Sequence, residues 1–300
     1  METKTKAQLS DISIHPEISC PRNCQGCYWK QQPPKGEKIS PRWVWDLVRL
    51  SPVKVTIHLN SAEYFSNLYL ARPGSLKEKP TIIMEASEFS RSKYSRSSDL
   101  SDVFDIYVSI HDSDGLAAIV SSSAKSKVCG LNILSGELPE NLLRNVVEAF
   151  KMLPIYLILP KGENSSVKNH SQYVLDSKVV YKSLSPQMDS CLLDLMDGKE
   201  ECLGNSTLDI RPGIVVKSCP YSSKELLELG QVRPEDILIR IPELLELAKD
   251  FCPSKCSLIS GEEIVRAKSK KTNEKESDNE SVHARGNQVT LHDRWNTDRL

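Results

Sequence analysis

Short apolar segments rich in β-branched residues alternate with segments of helical periodicity along the first half of the chain. Helical spacing of apolar residues predicts helices at 40–50 and 138–153, the first with Ser40 as its N-cap and Pro41 in its first turn. This alternation predicts βα units and a parallel sheet buried on both faces. Six units favour an α/β fold built as a partial (β/α)6 barrel of parallel strands. The six predicted strands are 11–18, 53–59, 80–86, 106–111, 128–134 and 155–161.

The pattern changes after residue 185. Residues 202–221 contain two short strands joined by an Arg-Pro-Gly turn at 211–213, which predicts a β-hairpin. Helical periodicity over 234–251 must break or restart at Pro242. The last residues are polar and charged with almost no apolar side chains, which predicts disorder. The predicted domains are a partial barrel at 1–185, a small hairpin-plus-helix domain at 186–265 and a disordered tail at 266–300.

Composition limits the classes of partner. The chain has 300 residues, 39% of them apolar, and a net charge of −1, so nothing favours nucleic acid or a charged membrane surface as a partner. No apolar run is long enough to span a membrane, and the first residues lack the apolar core of a signal peptide. We therefore expect a cytoplasmic protein that binds neither nucleic acid nor membrane.

Nine cysteines are the strongest chemical signal in the sequence. In a cytosolic protein they are expected to be metal ligands or catalytic thiols, because disulfides are rare there. Cys129 stands alone in an apolar segment and is expected to be a small buried hydrophobic residue. The others form two groups, Cys20, Cys24 and Cys27 near the N-terminus and Cys191, Cys202, Cys219, Cys252 and Cys256 in the last third.

The first group has the spacing Cys-x3-Cys-x2-Cys and follows the first predicted strand. Loops at the carboxyl ends of parallel strands form the active sites of such folds. A closed structural zinc site has four ligands, so three thiolates leave one coordination position open. The alternative to an open coordination position is a zinc site whose fourth ligand comes from elsewhere in the chain.

This spacing in a loop after the first strand of a βα series resembles the radical S-adenosylmethionine superfamily. The resemblance implies a 4Fe-4S cluster on Cys20, Cys24 and Cys27, with S-adenosyl-L-methionine on the fourth iron. It also implies that reductive cleavage of S-adenosylmethionine gives a 5′-deoxyadenosyl radical, which abstracts hydrogen from a substrate.

The same resemblance implies further S-adenosylmethionine contacts. Ser109 in IYVSIH corresponds to a fourth-strand serine near the ribose, and Asn132 in CGLNIL to a fifth-strand nucleoside contact. Glu63 lies in Ser-Ala-Glu, where the family usually has Gly-Gly-Glu-Pro, so two glycines and the proline are absent here. Lys161 is a candidate partner for the methionine carboxylate. His58, Glu85 and His111 also fall near predicted strand ends, as substrate contacts or as ordinary loop residues.

The second cysteine group resembles the twitch or SPASM extension of some radical S-adenosylmethionine enzymes. The resemblance implies a second, auxiliary 4Fe-4S cluster that is fully ligated by four thiolates. A four-thiolate zinc site and the replacement of one ligand by Cys191 remain open alternatives. The implied ligands are Cys202, Cys219, Cys252 and Cys256.

The resemblance implies an oxidoreductase or maturase acting on a peptide or protein side chain, with an electron donor such as flavodoxin or ferredoxin. A radical dehydrogenase for a small alcohol or sugar is the alternative enzyme. A non-catalytic metal-binding or regulatory protein on the same fold is the alternative of another class, and the altered Ser-Ala-Glu segment favours it.

Overall fold

Ten strands form one mostly parallel sheet in the part of the chain that the structure describes. The structure is a computed structural model that describes residues 9–22, 33–134, 140–150, 152–158, 187–188, 206–218, 225–228, 230 and 232–251. Its strands are β1 (Asp11–Ile14), β2 (Val55–Leu59), β3 (Thr81–Glu85), β4 (Asp105–Ile110), β5 (Val128–Leu134), β6 (Ile155–Ile158), β7 (Gln187–Met188), β8 (Thr207–Arg211), β9 (Val215–Lys217) and β10 (Leu227–Glu228). Their order in the sheet is β10-β9-β8-β1-β2-β3-β4-β5-β6-β7.

Helices follow the strands and cover one face of this sheet. The helix α1 begins as predicted, because the Ser40 side chain accepts a hydrogen bond from the Trp43 N–H and Pro41 is the first helical residue. The described helices are α1 (Pro41–Leu50), α2 (Ala62–Leu70), α3 (Ala86–Arg91), α4 (Leu100–Val103), α5 (Ser113–Ser121), α6 (Glu140–Ala149), α7 (Pro234–Ile239) and α8 (Ile241–Phe251), with a 3₁₀ helix at Ser123–Lys127.

The expectation of an α/β fold with a parallel sheet is confirmed. Strands β1 to β7 pair in sequence order and all run parallel, as the open sheet of a partial barrel requires. The strand bounds differ from the predicted ones by a few residues, most at the first strand, which ends at Ile14.

The two faces of the sheet differ, whereas the sequence predicted burial on both. Buried and half-buried positions alternate along β1, β2 and β4. The outer face, which packs on the helices, is apolar and includes Ile14, Ile57, Val108 and Leu131. The inner face carries most of the polar residues, although Ile83, Tyr107 and Gly130 also lie on it. Its polar residues include Ser13, His15, Thr56, His58, Glu85, Ser109, Asn132, Asp209 and Arg211.

The predicted hairpin is present and extends the main sheet. Strands β8 and β9 pair antiparallel around a turn at 212–214, in which Gly213 has a φ of 75°. Strand β8 pairs parallel with β1, from Asp11 opposite Thr207 to Ile14 opposite Ile210. The hairpin therefore continues the sheet at the edge of β1, a pairing that the sequence did not predict. The predicted domain boundaries stay a prediction.

The helical segment after the hairpin is interrupted as predicted. Helix α7 ends at Ile239, Arg240 separates the two helices, and Pro242 is the second residue of α8. The predicted disordered tail, 266–300, lies outside the described residues. Among the described helices, none combines the length and apolar character needed to cross a membrane.

Candidate metal and cofactor site

The loop after β1 begins at the carboxyl edge of the sheet. Cys20 lies in this loop, is partly exposed and is not in a disulfide. Since β1 is flanked by β8 and β2, the loop leaves the sheet beside the carboxyl ends of both strands. Cys24 and Cys27 fall in the segment 23–32, outside the described residues. Cys20 can therefore supply one thiolate ligand at the predicted edge of the sheet.

Arg22 connects this loop to the ends of two other strands. Its Nη2 atom is 2.6 Å from Oε1 of Glu85, the last residue of β3. Its Nη1 atom donates to Oδ2 of Asp112, which lies just after β4. Partial burial lowers the pKa of Arg22, but Asp112 and Glu85 outweigh this effect and raise it. The guanidinium group is therefore charged and forms ion pairs with both carboxylates.

Glu17 connects the same loop to the start of α2. Its carboxylate accepts hydrogen bonds from the backbone N–H groups of Asn60 and Ser61 and from the Ser61 hydroxyl group. Burial raises the pKa of Glu17, and these hydrogen bonds only partly offset the rise. The neighbouring Ala62 N–H donates to Oε2 of Glu88 at 3.0 Å. Two carboxylates thus bind the backbone of the segment where the family usually has Gly-Gly-Glu-Pro.

Glu63 occupies the first turn of α2 with an exposed side chain. Its helix begins because Ser61 is an N-cap whose hydroxyl group accepts from the Tyr64 N–H at 3.1 Å. Glu63 is therefore next to the carboxyl end of β2, as predicted, and open to solvent.

Ser109 and Asn132 are neighbours on the inner face. They are opposite one another on β4 and β5, and Glu85 on β3 is opposite Ser109. Asn132 is 5% exposed, and its Nδ2 atom has no hydrogen-bond partner in the described part of the chain. A buried amide without a partner is costly, so it indicates a missing acceptor at this position. The structure therefore brings these two predicted residues together and leaves a donor for a ligand.

A second polar group lies on β8, β1 and β2. The Nε2 atom of His15 is 3.0 Å from Oδ1 of Asp209, and the Nε atom of Arg211 donates to Oδ2 of Asp209 at 2.8 Å. The His15 and His58 rings stack with centroids 4.2 Å apart, and Nε2 of His58 is 3.2 Å from the Ser13 hydroxyl group. These contacts fix the orientation of both imidazoles.

Burial and charge set the protonation of this group. Burial alone would raise the pKa of Asp209, but His15 and Arg211 lower it well below the usual range. Burial, and then the charge of His15, lower the pKa of His58 well below 6.5. Burial, and then the charge of Arg211, lower the pKa of the nearby Lys217 ammonium group. Asp209 is therefore ionised and His58 neutral near pH 7.

Sequence reasoning missed Arg22, Asp112, Asp209 and Arg211. Asp112 is the N-cap of α5, which begins at Ser113. The Asp-x-x-Gly spacing of Asp112 and Gly115 with the apolar residues that follow could have indicated this helix. The alternation of apolar and polar residues in TLDIR could have placed Asp209 and Arg211 on one face. No local signal identifies their partners.

Several predicted residues cannot be placed. Within the described ranges, no three His, Cys, Asp or Glu side chains converge in a way that could hold a metal ion. Cys129, expected to be buried, is partly exposed on β5. The predicted residues outside the described ranges are Cys24, Cys27, Lys161, Cys191, Cys202, Cys219, Cys252 and Cys256.

No protein-family model and no curated protein sequence matches this chain. Among solved structures, the chain is similar to SuiB of Streptococcus suis, with 14% sequence identity and a TM-score of 0.46. The match covers 71% of this chain and 60% of SuiB, so the chain spans less than two thirds of the length of that protein.

Proposed function

We propose that this protein is a radical S-adenosylmethionine enzyme whose reactive 4Fe-4S cluster is held by Cys20, Cys24 and Cys27. The observation that carries the proposal is the buried Asn132 amide without a partner, beside Ser109 on the inner face. It lies at the carboxyl ends of parallel strands, the same edge from which the Cys20 loop leaves. A cofactor with a polar nucleoside would supply the acceptor that Asn132 lacks.

Three of the described residues fit bound S-adenosylmethionine. The Asn132 Nδ2 group donates, the Ser109 hydroxyl group donates or accepts, and both are fixed on strands. Glu63 is exposed next to the same edge and is available to a cationic amino group. When bound, the cluster and S-adenosylmethionine supply one-electron cleavage and hydrogen abstraction, and Lys161 is the proposed partner of the methionine carboxylate.

The polar inner face favours a polar substrate. Beside Ile83 and Tyr107 the face carries two histidines, Asp209 and Arg211, and buried charged groups are rare in a face that only completes a core. We propose a peptide or protein side chain as the substrate, and a small alcohol or sugar as the alternative. A flavodoxin or ferredoxin would supply electrons. An auxiliary 4Fe-4S cluster on Cys202, Cys219, Cys252 and Cys256 would accept the electron left on the substrate.

One observation favours a non-catalytic metal-binding protein instead. The backbone N–H groups of Asn60, Ser61 and Ala62 all donate to Glu17 or Glu88. The segment after β2 is thus already engaged by the protein's own carboxylates, and its sequence lacks two glycines of a glycine-rich cradle. This second candidate predicts iron or zinc binding without cleavage of S-adenosylmethionine.

Anaerobic reconstitution with iron and sulfide separates these candidates. We expect the reduced protein to form 5′-deoxyadenosine from S-adenosylmethionine, and the triple variant Cys20→Ala, Cys24→Ala, Cys27→Ala to form none. The single variant Cys129→Ala is the matched control and should keep the parent rate. Parent-level cleavage by the triple variant, or no cleavage by an iron-loaded parent protein, would show that the proposal is wrong.

A further inference from the structure

Arg22 occupies a special position in the cysteine loop. It is two residues after Cys20 and two residues before Cys24. Its side chain is 26% exposed and reaches away from its own loop to Glu85, which is 7% exposed, and to Asp112. The Nη2 atom also donates to the Ser87 hydroxyl group at 3.4 Å. The loop is therefore joined, between its first two cysteines, to the ends of β3 and β4.

Both carboxylates that bind Arg22 are fixed by helix starts. Glu85 caps α3 through Oε2, which accepts from the Glu88 N–H at 2.9 Å, and offers Oε1 to Arg22. Asp112 caps α5 through Oδ1, which accepts from the Gly115 N–H at 2.7 Å, and offers Oδ2 to Arg22. Each carboxylate thus uses one oxygen for its helix and the other for the guanidinium group.

Gly115 leaves room for the two carboxylates to converge. A Cβ atom at this position would be 2.9 Å from Oε1 of Glu85, the oxygen that binds Arg22. It would also be 3.3 Å from Oδ1 of Asp112. Gly115 has an ordinary helical backbone, so a methyl group there disturbs the carboxylates without backbone strain.

We infer that Arg22 is a positioning residue, which joins Glu85 and Asp112 and thereby fixes the position of the Cys20 thiolate in the loop after β1. The inference rests on the proposed function, because the position of the Cys20 thiolate has a chemical role only if Cys20 binds the cluster. A planar guanidinium group can engage two carboxylates in fixed directions, whereas an ammonium group engages them as a point charge. Site groups need placement within about 0.5 Å, which a mobile loop does not provide alone.

The first test uses the metal-free protein and does not depend on cofactor binding. We expect Arg22→Gln to raise the rate at which iodoacetamide alkylates Cys20 by about tenfold. This factor corresponds to the loss of the free energy of one charge-assisted contact. The exchange of backbone amide hydrogens at residues 18–22 should also become faster in this variant. Cys129, in the same sample, is the internal control and should be alkylated at the parent rate. Arg49→Gln is the matched variant, because Arg49 forms an exposed ion pair with Asp46 within α1, away from the cysteine loop.

The second test uses the loaded protein. We expect Arg22→Gln and Gly115→Ala to change the electron paramagnetic resonance spectrum of the reduced cluster and its response to added S-adenosylmethionine. Arg22→Lys should give a smaller change in the same direction. These spectra would not move if Arg22 only stabilised the fold.

The outcomes separate this inference from the proposed function. Unchanged Cys20 alkylation and hydrogen exchange in Arg22→Gln would overturn the inference. If that variant does not fold, Arg22→Lys and Gly115→Ala give the same readings with a smaller perturbation, and unchanged values there overturn it equally. If the parent protein binds no iron, the proposed function fails, while the metal-free readings still decide whether Arg22 positions Cys20.

Discussion

The two faces of the central sheet are stabilised in different ways. On the outer face, apolar side chains such as Ile14, Ile57 and Val108 are excluded from water and pack against helices. On the inner face, Asp209 and Arg211 are just as buried, at 1% and 2% exposure, but they are charged. Burial of apolar groups stabilises a fold in any packed arrangement, whereas burial of charge is tolerated only in a particular arrangement of partners.

This difference separates a face that packs on helices from a face that holds polar groups. A polar inner face costs free energy relative to an apolar one, because each buried polar group must recover the hydrogen bonds it loses to water. The group around His15, Asp209 and Arg211 is internally paired. The Asn132 amide is not paired among the described residues. The inner face thus contains one part whose charges are paired with each other and one part with a buried donor that has no partner among the described residues.

The largest expected effect belongs to the outer face. Phe65 on α2 is fully buried, with its ring centroid 5.7 Å from that of Phe89 and 5.8 Å from that of Phe104. We expect Phe65→Ala to lower the free energy of unfolding by about 3–5 kcal/mol, measured by urea denaturation. Leu70, on the same helix and 58% exposed, is the control, and Leu70→Ala should change it by less than about 0.5 kcal/mol. Equal effects at both positions would contradict the assignment of the outer face as the core.

The next effect tests the charges of the inner face. We expect Asp209→Asn to lower the free energy of unfolding by about 3 kcal/mol, because His15 and Arg211 lose their shared counter-charge. Combining it with Arg211→Met should cost less than the sum of the two single changes, since the second removes the charge whose Asp209 counter-charge the first has removed. Additive effects in this cycle would mean that the two side chains do not interact.

The sequence predicts the outer face better than the inner one. Local signals identified most of the strands, the Ser40 cap and the break near Pro242, because each depends on residues close together in the chain. The pairing of β8 with β1 joins residues about 200 positions apart, and no local pattern specifies it. The expectation of a sheet buried on both faces missed the alternation of buried and half-buried positions that β1, β2 and β4 display.

The candidate site was predicted only where the resemblance to a known family supplied the position. Ser109 and Asn132 were predicted in this way, and the structure places them opposite one another on β4 and β5. Arg22 and Asp112 were missed, because arginine and aspartate occur on every protein surface and their pairing over 90 positions depends on the fold. Asp209 was missed for the same reason, since its partner His15 lies on another strand.

The pH dependence of the free energy of unfolding also distinguishes the two faces, by a smaller amount. His58 is neutral in the folded protein because its pKa lies well below 6.5, while the unfolded chain takes up a proton below that value. The unfolded state therefore binds more protons, and stability falls as pH falls. Between about pH 7 and about pH 5.5 we expect a loss of about 1 kcal/mol from this group.

The variant His58→Asn isolates this contribution. It keeps a polar side chain beside Ser13 and has no imidazole to titrate, so its stability should depend less on pH by the same amount. Phe65→Ala, in the helix α2 that packs on the outer face, should keep the parent pH dependence although it is much less stable. A parent-like slope in His58→Asn would show that His58 is not held neutral by its surroundings.

The smallest effect on stability should accompany the largest effect on the proposed function. Asn132 is buried with an unsatisfied amide, so Asn132→Leu removes a polar group that nothing in the described chain compensates. We expect the free energy of unfolding to stay the same or rise by up to about 1 kcal/mol, in contrast to Asp209→Asn. Equilibrium binding of S-adenosylmethionine to the iron-loaded protein should be lost. A destabilisation above about 2 kcal/mol would mean that the amide has a structural partner, and unchanged binding would remove Asn132 from the site.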